Sequence, residues 1–117
     1  MTAPAAPRAD DSATRPSPGS PLLRVVRQDA IATLTLNRPA QFNALSEALL
    51  MELQGALDDV ASDPAILVVV LRGEGRAFCA GHDLREMRAH PDTRWQRALF
   101  DRCSRVMKTL ESLPQPV

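Results

Sequence analysis

Residues 71–84, LRGEGRAFCAGHDL, hold the residue types and spacings best suited to chemistry in this chain. The apolar run 66–71 leads into Gly73 and Gly75, which turn the chain. Ala77-Phe78-Cys79-Ala80 form a second apolar run, read as a short strand, and Gly81-His82 precede Asp83, which opens a short helix. Small side chains let a ligand approach the backbone, and Gly81 permits a φ that other residues resist. At a helix start the first N–H groups have no internal partner and favour negative charge. The chemistry this arrangement suits is oxyanion stabilisation, in which fixed N–H groups point at an oxygen where negative charge develops. A plain strand-to-helix turn accounts for the same glycines and alanines, so the spacing leaves both readings open. A phosphate loop is excluded, because no Gly-Lys-Ser/Thr closes it, and the glycine spacing does not fit a dinucleotide fingerprint.

Such a loop needs a frame. Residues 22–27 read as a strand, Gln28-Asp29 as a two-residue turn and residues 30–37 as a second strand. On that second strand Ile31, Thr33 and Thr35 share one face, and Ala32, Leu34 and Leu36 the other. Pro39 ends the hairpin, having no N–H for a ladder and biasing Arg38 to extended geometry. Ser46 is an N-cap, with Glu47 near the positive helix end. Leu49, Leu50, Leu53, Leu57 and Val60 follow at helical spacing, and the helix stops at Ser62-Asp63, before Pro64. The β-branched run 66–71 reads as a fully buried strand. A short helix spans 83–88 until His90-Pro91 breaks it. Asp92 then caps a long amphipathic helix marked by Trp95, Leu99, Phe100, Cys103, Val106, Met107, Leu110 and Leu113. Pro114 and Pro116 stop it.

The 117 residues suit one small domain, and 44% of them are hydrophobic. Lys plus Arg and Asp plus Glu number 14 each, and this zero net charge argues against a nucleic-acid partner. Cys79 and Cys103 form neither a disulfide framework nor a zinc pattern, and they suit a reducing compartment. No apolar run approaches the roughly 18 residues of a membrane span. Residues 1–21 contain Pro4, Pro7, Pro16, Pro18 and Pro21 among Ala, Ser, Thr and Asp. That composition buries too little apolar surface to offset its ordering entropy, so a disordered Pro/Ala-rich tail is expected before a domain at 22–117. A targeting peptide is the alternative, against which stand the missing apolar core and the acidic Asp10 and Asp11.

Phe78-Cys79-Ala80-Gly81-His82-Asp83-Leu84 resembles a signature of the crotonase family, the enoyl-CoA hydratase/isomerase group. Leu36-Asn37-Arg38-Pro39 and Asn43-Ala44-Leu45 resemble that family's earlier signature, in the right order and at the usual distance. The resemblance covers residues 22–117. It implies an α/β fold, a partial crotonase-like ββα spiral of about one and a half units, in which an open repeat face wants a further layer. It also implies an acyl-CoA thioester as substrate and, for a hydratase, addition of water across a 2-enoyl-CoA double bond in fatty acid metabolism. No metal or redox cofactor is implied, since coenzyme A arrives as part of the substrate.

The same resemblance assigns residues. The backbone N–H of His82 matches one of two oxyanion donors, and its imidazole is not required. The carbonyl of Ala80 matches a position that holds the adenine of CoA, and Ala44 another backbone position lining the CoA site. Arg38 either meets a CoA phosphate or is an exposed loop arginine. Asp83 is a helix cap or a base. The family's second donor and its acid/base carboxylates lie later than Val117. Hydration needs a base to activate water and an acid to protonate the α-carbon, but Glu47, Glu52, Glu74, Glu86 and Glu111 match none of those positions and read as solvated surface. The chain alone is therefore expected to be inactive, whether as a fragment of a longer protein or as a truncated product. Gly81-His82-Asp83-Leu84 followed by the stretch 100–107 is similar to a branch of the family in which the usual catalytic glutamates are not assured.

Two rivals stand beside the enzyme: a non-catalytic acyl-CoA-binding protein of the same fold, and an interaction fragment that associates through its long apolar helix. The resemblance also implies a trimer-based homo-oligomer for a full-length protein, and a cytoplasmic location with a mitochondrial alternative. A small domain buries a small fraction of its surface, so marginal stability is expected.

Overall fold

The computed structural model describes residues 21–117. The expected tail, 1–21, lies outside the described residues except for Pro21, whose carbonyl accepts a hydrogen bond from Asn37 Nδ2 at 3.0 Å.

Strand β1 (Leu23–Gln28) pairs antiparallel with β2 (Ile31–Leu36), Leu23 opposite Leu36 and Gln28 opposite Ile31. The turn is Asp29-Ala30, one residue later than the expected Gln28-Asp29. Asp29 takes φ +56°, a region its short polar side chain tolerates better than most. Helix α1 (Glu47–Ala61) then crosses over, and β3 (Val68–Gly73) pairs parallel with β2, Ile31 opposite Val68 and Leu36 opposite Gly73. The sheet order is β1-β2-β3.

The cap on α1 forms as expected, Ser46 Oγ accepting from the Leu49 N–H at 3.1 Å. The helix presents Leu49, Leu50, Leu53, Leu57 and Val60, all buried. They meet Leu23, Ala32, Leu34, Leu36 and Val69 on one face of the sheet in a single hydrophobic core. Strand β3 corrects the expectation of full burial. It begins at Val68, and only Val69 is fully buried, with Leu71 packed half-buried against the core, whereas Val68 and Val70 are 38% and 41% exposed. Side chains alternate with period two, so Val68 and Val70 join Val26 and Ile31 on the open face of the sheet, all of them exposed.

Two helices follow, α2 (Leu84–Ala89) and α3 (Thr93–Ser112). Asp92 caps α3, its Oδ1 accepting from the Arg94 N–H at 3.0 Å. The apolar stripe of α3 is only partly covered: Leu99 and Val106 enter the core, Trp95, Cys103, Leu110 and Leu113 pack against it, and Phe100 and Met107 stay exposed. Beyond α3, buried Gln115 donates from Nε2 to the carbonyls of Val60 and Ile66 at 2.8 and 3.1 Å. The Val69 N–H reaches the Pro116 carbonyl. These bonds pin the end of α3 to the α1–β3 connection.

The short strand expected at 77–80 does not form. The loop makes one isolated parallel bridge instead, between Leu45 and His82. Gly75 and Gly81 take φ +87° and +102°, which bends the loop away from any continuous ladder.

Candidate functional site

Two segments lie side by side: 37–46, which joins β2 to α1, and 74–83, which joins β3 to α2. Leu45 donates to the Gly81 carbonyl at 2.7 Å and accepts from the Asp83 N–H at 3.2 Å. In a parallel pair, bonds that straddle a residue leave its own N–H and C=O directed to the other side. The His82 N–H is thus turned away from Leu45, and among the described residues no acceptor takes it. A Cβ built on Gly81 would meet nothing within 4 Å, so the backbone next to this N–H is open to approach.

The four residues assigned from the sequence come together here. Ala80 is exposed, and its N–H donates to the Phe42 carbonyl at 3.0 Å. Buried Ala44 accepts at its carbonyl from Arg38 Nη1 at 2.5 Å and from the Ser46 N–H at 3.1 Å. Arg38 Nη2 pairs with Asp83 Oδ2 at 3.1 Å, the two side chains being 16% and 15% exposed. Arg38 is therefore not a free loop arginine: it braces the start of α1 against the start of α2. The His82 imidazole packs edge-on against the Phe100 ring, centroids 5.1 Å apart, with Nδ1 buried and unpartnered.

Asp83 is the cap of α2, its Oδ1 accepting from the Glu86 N–H at 3.1 Å. This bears out the cap, and it corrects the expectation that the α2 start offers free N–H groups to a ligand. Partial burial works to raise the Asp83 carboxyl, but the Glu86 and Arg85 N–H groups and the Arg38 guanidinium outweigh it and hold the group below its usual value. A carboxyl depressed in the folded state contributes stability that is fully present above its unfolded value, about 3.9, and is lost as pH falls through the lower folded value. Urea midpoints measured from pH 7 to 2.5 are expected to fall in that acid window. Asp83→Asn keeps a cap acceptor but removes the charge, so it should flatten that part of the profile and lower the midpoint at pH 7.

The glutamates also need correction. Glu74 is not solvated surface: it is 7% exposed, and its Oε1 meets Arg24 Nη2 at 2.6 Å. Glu86 is half-buried, and its Oε1 accepts from the Glu47 N–H at 2.8 Å, a second cap on α1. Glu47 pairs with Arg102 at 3.5 Å. Glu52 and Glu111 are exposed. These contacts are structural, and none is aimed at the His82 N–H.

Asn43 escaped the sequence reading as a functional residue. It is fully buried at φ +57°. Its Nδ2 donates to the carbonyls of Glu74 and Ala77, each at 2.9 Å, and its Oδ1 accepts from the Arg38 N–H at 2.8 Å. The available signal was Asn inside an otherwise apolar triplet, a residue type that enters the left-handed region readily. Cys79 and Cys103 are free thiols, and burial pushes Cys103 up, with the charge of Cys79 adding to it. Among the described residues no group of three or more His, Cys, Asp or Glu is placed to hold a metal. No helix there is long and apolar enough to cross a membrane.

One ββα unit, β1-β2-α1, followed by β3 and the helices after its loop, makes this an α/β protein of the crotonase-like class. Solved structures share the fold. An enoyl-CoA hydratase from Mycobacterium smegmatis superposes with TM-score 0.81 at 51% identity, over 83% of this chain and 38% of that one. An enoyl-CoA hydratase from Bacillus anthracis does so with TM-score 0.78 at 38% identity, over 82% and 38%. The sequence model for enoyl-CoA hydratase/isomerase matches residues 31–117, and the chain belongs to that family. Enoyl-CoA hydratase domain-containing protein 3, mitochondrial, of Xenopus laevis is 33% identical over 98 residues, 84% of this chain and 33% of the relative. The 2,3-dehydroadipyl-CoA hydratase of Escherichia coli is 52% identical over 65 residues, 56% of this chain and 26% of the relative. The chain thus spans about a third or less of the length of these curated relatives.

Proposed function

We propose that the protein binds an acyl-CoA thioester and polarises its carbonyl, these residues supplying one of the two oxyanion donors, the backbone N–H of His82. The observation that carries this reading is that N–H: fixed by the Leu45 bridge, without an acceptor among the described residues, and beside the open backbone of Gly81. A thioester carbonyl oxygen gains negative charge as a nucleophile adds to the conjugated double bond, and a preorganised donor stabilises that charge without reorganising. The carbonyl of Ala80 is the acceptor assigned to the adenine amine of CoA, and exposed Ala80 is accessible for it. Ala44 lines the same wall through its backbone. Two of the guanidinium nitrogens of Arg38 hold Ala44 and Asp83, and its remaining N–H donors suit a CoA phosphate. The reaction is hydration of a 2-enoyl-CoA in fatty acid metabolism, without metal or redox cofactor. No residue among those described is assigned as the second donor or as the acid or base, so binding and polarisation, not turnover, is the role proposed for them. The relatives' names support the substrate class, since one is a CoA hydratase by name. A reducing compartment suits the two free thiols, with the cytoplasm as first choice and mitochondria, named for one relative, as the alternative.

Crotonyl-CoA titrated calorimetrically into the chain, alongside an absorbance assay for the conjugated double bond, tests this reading. Binding without loss of the double bond is the expected result. Absence of binding overturns acyl-CoA recognition by these residues, and turnover overturns the reading that none of them serves as acid or base.

The exposed Phe100 and Met107 on α3 support a second reading, an association surface, consistent with a trimer-based assembly of a full-length protein. Sedimentation that shows concentration-dependent oligomers in the absence of acyl-CoA would favour it.

A further inference from the structure

We propose that Asn43 is the positioning residue of the His82 donor, its buried carboxamide setting the direction from which that N–H meets a thioester carbonyl; this rests on the oxyanion reading above. The loop 74–83 has no ladder of its own, and four sets of bonds tie it to 37–46, one of them the Arg38–Asp83 ion pair. Leu45 grips it at Gly81 and Asp83, and Phe42 grips it at Ala80. The Glu74 N–H and carboxylate are held by the Leu36 carbonyl and by Arg24, but within 37–46 Asn43 alone hydrogen-bonds the ascending limb, at the carbonyls of Glu74 and Ala77. The orientation of the carboxamide is set by its partners: the two carbonyls can only accept, and the Arg38 N–H can only donate. One side chain therefore spans the ascending limb of the loop and the residue that braces Asp83. Gly73 closes the other side, since a Cβ there would lie 2.9 Å from both Asn43 Nδ2 and Phe78 Cα. A carboxamide packed this closely, with every polar atom satisfied, holds one geometry, and each unpaired carbonyl left by its removal frees the loop to move.

Two variants separate the hydrogen bonds from the backbone. Asn43→Gly keeps the positive φ at no steric cost and deletes the carboxamide. Asn43→Asp keeps the shape, the acceptor for the Arg38 N–H and the tolerance of positive φ, but its carboxylate cannot donate to the two carbonyls. In the 117-residue chain, amide hydrogen exchange is read at Ala80 and Asp83, with Leu34 in β2 as the reference. The expected result for both variants is exchange faster by about tenfold or more at Ala80 and Asp83, with less than about threefold change at Leu34. Equal acceleration at all three means that Asn43 contributes only to global stability, and no acceleration means that the loop stands without it; either overturns the proposal. The second readout is the 13C resonance of crotonyl-CoA labelled at the thioester carbonyl. It is expected to move downfield on binding the wild type. In the variants that shift is expected to be lost, while free CoA still binds within about threefold of wild-type affinity. A retained shift in the variants overturns the proposal. A wild type that binds but shifts no carbonyl resonance overturns the oxyanion reading itself, and the exchange data, which use no ligand, separate that failure from the failure of Asn43 to hold the loop.

Discussion

Leu57→Ala is expected to cost about 2–5 kcal/mol of unfolding free energy and to leave the chain largely unfolded at ambient temperature. Leu57 lies at the middle of α1 with 0% exposure, in the cluster that joins the sheet, α1 and α3 through Leu34, Val69, Leu99 and Val106. Truncation removes transfer free energy and leaves a cavity between elements that cannot all collapse into it. A domain of this size holds on the order of 5–15 kcal/mol in total at best. A fold of one and a half units that leaves Val26, Ile31, Val68 and Val70 exposed sits at the low end of that range. Urea unfolding followed by circular dichroism measures the effect. Met51→Ala, at a 53% exposed position of the same helix, is the control and should change stability by less than about 0.5 kcal/mol. Equal effects at both positions would mean that the core is not packed as described.

Gly73→Ala is the second large effect, and it acts on the loop. The new Cβ would collide with the Phe78 carbonyl oxygen and lie 2.9 Å from Phe78 Cα and Asn43 Nδ2. Two of these atoms are backbone, so no rotamer change relieves the contact. The expected cost is about 1–3 kcal/mol from overpacking. Part of the Asn43 hydrogen bonding is lost with it, because the carboxamide must retreat from Glu74 and Ala77. Binding of crotonyl-CoA should fail before the fold does. Gly55→Ala gives the opposite sign: nothing lies within 4 Å of its Cβ, and it sits inside α1. That substitution should stabilise by about 0.5–1 kcal/mol through helix propensity. Unfolding midpoints of the two variants decide the matter, and a Gly73→Ala protein as stable as wild type would refute the close approach of the loop to β3.

Much of the frame was legible without the fold. The Ser46 cap, the five buried apolar positions of α1, the Asp92 cap and the alternation on β2 all follow from local periodicity, and each appears where expected. The hairpin turn lies one residue later than its residue types suggest, because Asp29 supplies the positive φ as the first turn residue rather than the second. Two readings failed for a shared reason. The run 66–71 looked fully buried, and 77–80 looked like a strand, from apolar content alone. Whether a second face is covered, or a short run finds a pairing partner, depends on what else packs there.

The amino-acid order by itself determined the family, through two signatures in sequence, and the elements whose signals lie within a turn or two of helix or a few residues of strand. Only the tertiary structure decided what the loop does with them. It buried Glu74 against Arg24, 50 residues away, and paired Arg38 with Asp83, 45 residues away. It also gave Asn43 two carbonyls more than 30 residues ahead and turned the His82 N–H outward across the Leu45 bridge. Periodicity reports on neighbours along the chain. The direction of a single N–H, and the burial of a single charge, depend on which distant segments lie alongside, and that follows from packing the whole core.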